Sequence, residues 1–117
     1  MDFKEALQRV RKMAEDKLAK GENADEFVVI GEADGFKLYV AAGKTLKRKF
    51  PRSFHENPRD VFILVLVGEI EFAFENGEKK IVKKNQCLVL PKHTKHECIF
   101  KKMTIVFEGV YEKGLAN

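Results

Sequence analysis

The chain has no tryptophan, and only three prolines and two cysteines among its 117 residues. Each scarcity excludes something. Cys87 and Cys98 lack a C-x-x-C spacing, so two buried thiols in a cytoplasmic protein are expected rather than a disulfide framework. The longest unbroken apolar run, Val61 to Val67, is far too short to cross a bilayer. The first twenty residues are charged throughout and have no apolar central stretch, so no signal peptide is expected. No G-x-S-x-G elbow and no glycine-rich phosphate loop occurs, and no nucleophile–base pair stands out.

What is present points to one soluble domain. Hydrophobic residues make up 44% and charged residues 34%. The first figure excludes intrinsic disorder and the second a membrane protein. A net charge of +4 permits an anionic ligand or a nucleic acid without requiring either. The absence of tryptophan and the excess of Lys and Glu over Gln make a thermophilic composition, which implies surface ion pairs.

Residues 1–21 read as an amphipathic helix. Phe3, Ala6, Leu7, Val10, Met13, Ala14 and Leu18 recur at steps of three and four. Asp2 is placed to cap it, Glu5 completes a capping-box pattern, and Gly21 is placed to end it. The apolar stripe packs on the domain or on a partner subunit. Residues 26–113 change period. Short β-rich runs cover Phe27–Ile30, Phe36–Ala42, Leu46–Phe50 (ending at Pro51) and Val61–Val67, the last expected to be buried on both faces. Ile70, Phe72 and Phe74 alternate with Glu71, Ala73 and Glu75, and Asn76-Gly77 then signals a hairpin returning along Lys79–Lys84. Cys87–Leu90, His96–Phe100 and Thr104–Tyr111 complete eight to ten strands. The expectation is an all-β sandwich or small barrel with one N-terminal helix.

All three histidines lie in two places: His55 before the apolar strand, His93 and His96 after Pro91. On a regular strand His96 and Cys98 share a side. A barrel bringing His55 near His96 places two imidazoles and a thiol in one cavity, a donor set suited to zinc, iron, nickel or copper. Packing roles remain open for each residue. His93 reads as a loop residue, Cys87 as core, and Phe72 and Phe74 as barrel core that lines a pocket only if the barrel is open there. Lys44, Lys47, Arg48, Lys49 and Arg52, with Phe50 and Phe54 beside them, are a candidate strand for single-stranded nucleic acid. Lys79, Lys80, Lys83 and Lys84 are expected to pair with Glu69, Glu71 and Glu75 across the hairpin.

His55 to Glu69, HENPRDVFILVLVGE, resembles the first motif of the cupin superfamily, G-x5-H-x-H-x3,4-E-x6-G, and Asn85 to His96, NQCLVLPKHTKH, resembles the second, G-x5-P-x-G-x2-H-x3-N. The spacing between them is that of short microbial cupins. The resemblance implies a double-stranded β-helix, or jelly-roll barrel, and a homodimer. In metal-binding cupins two histidines and a glutamate of the first motif and one histidine of the second hold the metal. Here His55 and His96 stand at the first and last of these positions, Asn57 at the second histidine and Val61 at the glutamate. Asp60 is adjacent to Val61, but one step along a strand points it to the other face. Gly68 keeps the motif's closing glycine, while Asn85 and His93 replace glycines of the second motif, Lys49 the outer glycine and Phe100 the outer asparagine.

The resulting expectation is a small-molecule-binding cupin with a degenerate metal site. His55, His96, Asn57 and Cys98 are its candidate ligands, and His93, Phe72 and Phe74 its candidate pocket residues. The cofactor is one divalent ion (zinc, iron, manganese, nickel or copper) or none. The alternatives are a metal-dependent dioxygenase or isomerase using His55 and His96, and a nucleic-acid-associated basic β protein.

Overall fold

The computed structural model describes residues 2–30, 35–42, 48–55 and 58–111, with the backbone alone for 48–55 and 111. Helix α1 spans Phe3–Ala19. Its first turn is closed by the Asp2 carboxylate, which accepts the Glu5 N–H at 2.8 Å. It ends as a Schellman turn: Gly21 has φ +74, its N–H donates to the Leu18 carbonyl, and the Glu22 N–H donates to that of Lys17.

Nine strands follow among the described residues: β1 Ala24–Val29, β2 Phe36–Ala42, β3 Arg48–His55, β4 Asp60–Val67, β5 Glu69–Phe74, β6 Lys79–Lys83, β7 Cys87–Leu90, β8 His96–Phe100 and β9 Thr104–Tyr111. They form two antiparallel sheets, one ordered β1-β2-β9-β4-β7 and the other β3-β8-β5-β6. The chain passes repeatedly from sheet to sheet, so the two faces close over one interior as a jelly roll. The expected all-β barrel with one N-terminal helix is borne out.

Period-two patterning gives the five-stranded sheet two working faces. Toward the barrel it presents Ala41, Val61, Ile63, Val65 and Val106, which pack with Ile70, Phe72, Val82 and Phe100 of the other sheet. Outward it presents Leu38, Val40, Ala42 and Ile105, which receive Ala6, Val10 and Ala14 of the helix. Small residues at 6 and 14 let the helix lie close. Full burial of Val10 alone is worth about 1.5–3 kcal/mol.

Gly68 makes the corner between β4 and β5. Its φ is +78, and a Cβ there would lie 2.3 Å from the Met103 carbonyl oxygen and 2.7 Å from Thr104 Oγ1. The buried Thr104 hydroxyl lies 2.9 Å from each of the Glu69 and Lys102 carbonyls and donates to one of them. The Asn76-Gly77 hairpin forms as expected, with Gly77 at φ +91 and the Asn76 side chain accepting the Glu78 N–H.

Several expectations need correction. The Val61–Val67 run is not buried on both faces: Val61, Ile63 and Val65 are, whereas Phe62, Leu64 and Leu66 are only partly covered. The helix lies over β1 and β2 instead. Pro51 does not end its strand. β3 runs through it because β3 is a sheet edge with irregular register between Phe50 and His55, where a missing N–H costs no ladder bond. β1 starts at Ala24, earlier than its apolar run, because Ala24 is buried under the helix. Cys87 is exposed, not core: β7 is the other edge, and its inward positions are Leu88 and Leu90. Glu69, Glu71 and Glu75 form ion pairs with Lys102, Lys101 and Lys95 respectively, at 3.0 to 3.5 Å. Register places only Lys83 opposite one of these glutamates, Glu69, and Ile81 stands opposite Glu71.

Candidate functional site

A cavity of about 380 Å³ opens between the sheets. That volume lies within the range of small-molecule sites. Much of its wall is apolar: Val61 and Ile63 from β4, Ile70 from β5, Leu90 from β7, Phe100 from β8 and Val106 from β9. Its polar groups come from four strands: Asp25 of β1, Lys37 and Tyr39 of β2, Glu108 of β9, and His96 and Cys98 of β8.

β2 and β9 are paired so that Lys37 stands opposite Glu108 and Tyr39 opposite Val106. Inward positions on neighbouring strands therefore set a lysine and a glutamate of the cavity side by side. The Tyr39 hydroxyl donates to the Asp25 carboxylate, so that acid and that phenol are already joined. The Lys37 ammonium lies 5.2 Å from the centre of the Phe27 ring, a cation–π distance. Phe27 is 54% exposed and lines the cavity as well.

Burial pushes the Glu108 carboxyl above its ordinary range, and the positive charge of Lys37 and the imidazole of His96 oppose that rise. Burial pushes the Cys98 thiol up to about 12, helped by the Glu108 and Glu97 carboxylates. Cys98 is therefore a neutral thiol at physiological pH, unsuited to nucleophilic work.

His96 is buried, and its ring lies 6.1 Å from that of Phe72. Its Nδ1–H donates to the Thr94 carbonyl at 2.9 Å, which leaves Nε2 as the acceptor nitrogen. The backbone register sets His55 across from His96 on β3 and β8. The His55 side chain and all of Asn57 lie outside the described residues, as do the side chains of Lys44, Lys47, Arg48, Lys49 and Arg52.

His96 and Cys98 thus meet in one cavity. Phe72 and Phe74 do not line it. Phe72 is fully buried in the core beside it, with Phe74 packed against that core. His93 is exposed on the turn before β8, with φ +63, and is outside the lining. Val61, at the position of the resembled family's glutamate, offers an isopropyl wall. Asp60 accepts the Lys92 N–H at 2.7 Å instead of lining the cavity. Among the described residues no three His, Cys, Asp or Glu side chains assemble as a metal site. These donors alone do not complete a metal shell.

Sequence reasoning missed Asp25, Lys37, Tyr39 and Glu108. The signal for Glu108 was its place between Val106 and Val110 on the inward period of β9; for Lys37 it was the same period with Tyr39 and Ala41.

No protein-family model matches the chain, and no curated protein matches it in sequence. Solved structures do match in shape. A cupin superfamily protein from Desulfitobacterium hafniense is 18% identical, with 78% of this chain and 81% of that chain covered and a TM-score of 0.60. A cupin-2 domain containing protein from Shewanella frigidimarina is 18% identical, with 87% and 95% covered and a TM-score of 0.58. The DMSP lyase DddQ from Ruegeria pomeroyi is 18% identical, with 77% and 47% covered and a TM-score of 0.55. At such identities the likeness is one of fold. Among the described residues no helix is long and apolar enough to cross a membrane.

Proposed function

We propose, on the premise that this chain has the cupin fold, that its barrel binds a small molecule with an apolar body and a polar end. The observation that carries the reading is the composition of the cavity. Val61, Ile63, Ile70, Leu90, Phe100 and Val106 line it together with Lys37, Glu108 and His96, of which Lys37 and His96 both lie near enough to Glu108 to act on its carboxyl. Sites for small ligands have this composition: apolar surface for affinity and a few placed polar groups for orientation. The test is a thermal-shift screen of small organic molecules, followed by methyl NMR of the hits. Ligands that stabilise the protein should move the methyl signals of Val61, Ile63, Ile70, Leu90 and Val106. A screen with no hits, or shifts elsewhere, rejects the pocket.

A second reading, a metal-dependent cupin enzyme, is favoured by one arrangement. His96 is held by the Thr94 carbonyl as metal-binding histidines commonly are, and His55 lies opposite it in register. It is tested by elemental analysis after chelation and reloading with zinc, iron, manganese, nickel and copper in turn. Near-stoichiometric retention of one metal, lost in both His55→Ala and His96→Ala, would establish it. Retention no better than in the variants would reject it. A cytoplasmic location and a homodimer belong to both readings. Two free thiols support the first, and light scattering of the purified chain decides the second.

A further inference from the structure

Lys37 and Glu108 are opposite one another in the β2–β9 pairing, and both line the cavity. Such positions hold their Cβ atoms about 5 Å apart, well within reach of an ion pair. Yet among the described residues neither makes one. The Lys37 ammonium lies over the Phe27 ring instead. The other carboxylate of the lining, Asp25, receives the Tyr39 hydroxyl. The cavity therefore presents one cation and one carboxyl group side by side, not joined to each other, in a chamber otherwise walled largely by apolar side chains.

We propose that the ligand is a zwitterion, an apolar α-amino acid of about the size of leucine or phenylalanine, with its carboxylate on Lys37 and its ammonium on Glu108. This rests on the pocket reading above and narrows it. An α-amino acid carries both charges on one carbon, a spacing that suits two neighbouring strand positions. Its side chain would lie against Val61, Ile63, Leu90 and Phe100, and a cavity of about 380 Å³ holds a molecule of that size. A simple carboxylate would satisfy Lys37 but bring a second negative group beside Glu108. A simple amine would satisfy Glu108 but meet Lys37. Only the combined molecule offers each protein group its complement. The desolvation that disfavours a charged Glu108 would be offset by a bound ammonium.

The experiment is calorimetric titration with four probes of one shape: L-phenylalanine, 3-phenylpropanoate, 2-phenylethylamine and 3-phenylpropanamide. The same series is run on Lys37→Met and Glu108→Gln, whose folding is checked by circular dichroism and thermal melting. L-Phenylalanine should bind at least about tenfold more tightly than either one-ended analogue, a cost typical of leaving a polar partner unpaired. Lys37→Met should erase its advantage over the amine, and Glu108→Gln its advantage over the carboxylate. Equal binding of a one-ended analogue, or variants that keep the discrimination, overturns the proposal. If the neutral amide binds as well as the amino acid, the zwitterion fails while the pocket stands. If none of the four binds, the zwitterion fails, and the pocket reading is then judged by its own screen.

Discussion

Asp60 and Val61 are neighbours on β4 with opposite tasks. The Asp60 carboxylate is buried and accepts the Lys92 N–H, while Val61 forms part of the cavity wall. The acid next in sequence to the expected glutamate position thus holds the turn after β7 in place. Asp60→Ala removes a buried charged acceptor from the Lys92 N–H and should cost about 1.5–3 kcal/mol in chemical denaturation. An unchanged midpoint would show that the turn does not need it.

Val61→Glu would restore a carboxylate to the cavity wall. Without a partner it should destabilise the fold by about 2 kcal/mol or more, measured as a lower melting point in chelator. Recovery on adding zinc or nickel would show that the histidines of β3 and β8 converge on that point. No recovery would show that they do not.

Gly68 admits no side chain. Gly68→Ala combines a positive φ with contacts of 2.3 and 2.7 Å to backbone and to Thr104, and should cost about 3 kcal/mol or more. The reverse holds at His93, a non-glycine residue at φ +63. His93→Gly should raise stability by up to about 1 kcal/mol, and Asn85→Gly by less, because Asn tolerates its φ of +67. A larger gain at Asn85 than at His93 would contradict this reading of the two turns.

The two thiols should separate cleanly. Cys87 is exposed and Cys98 faces the cavity. A thiol reagent should label Cys87 at least about a hundredfold faster, with Cys98 reacting at the rate of opening. Because the native Cys98 keeps its proton up to about 12 and the unfolded thiol ionises near 9.0, stability should fall as pH rises between those values. Cys98→Ala should flatten that slope. An identical slope would assign it to other groups.

Glu108 gives a slope of the same sign at lower pH. Its carboxyl is held above the ordinary range by burial, so the native state favours the proton. The stability this gives is present at acid pH and lost as pH rises through the raised pKa. Glu108→Gln should therefore melt higher than the parent at pH 7, with a gap that narrows toward pH 4. A lower melting point at pH 7 would mean that Lys37 and His96 outweigh the burial.

How much of this was legible in the residues follows from what period and turn chemistry encode. Alternation along Ile70–Phe74 and the Asn76-Gly77 turn sufficed for β5 and β6, and Asp2 and Gly21 for both ends of the helix. The pairing of His96 with Cys98 on one side of β8 needed only strand geometry. The cavity's polar end was not legible. Period groups Lys37 with Tyr39 and Glu108 with Val106, but local sequence does not say which strands will flank β9 or which face of the sheet the cavity will open on. Asp25 precedes the apolar run that announces β1. Cys87 looked like core because nothing local marks β7 as an edge.

Strand β2 serves two interiors at once. Leu38, Val40 and Ala42 belong to the helix, and Lys37, Tyr39 and Ala41 to the barrel. Selection for a new ligand can therefore act on this strand only at every second position, while the intervening ones are constrained by the helix. Insertion of a single residue would exchange the two sets, carrying Lys37 and Tyr39 under the helix and Leu38 and Val40 into the pocket. Families that diversify on this scaffold should change β2 by substitution and confine changes of length to the loops beside it.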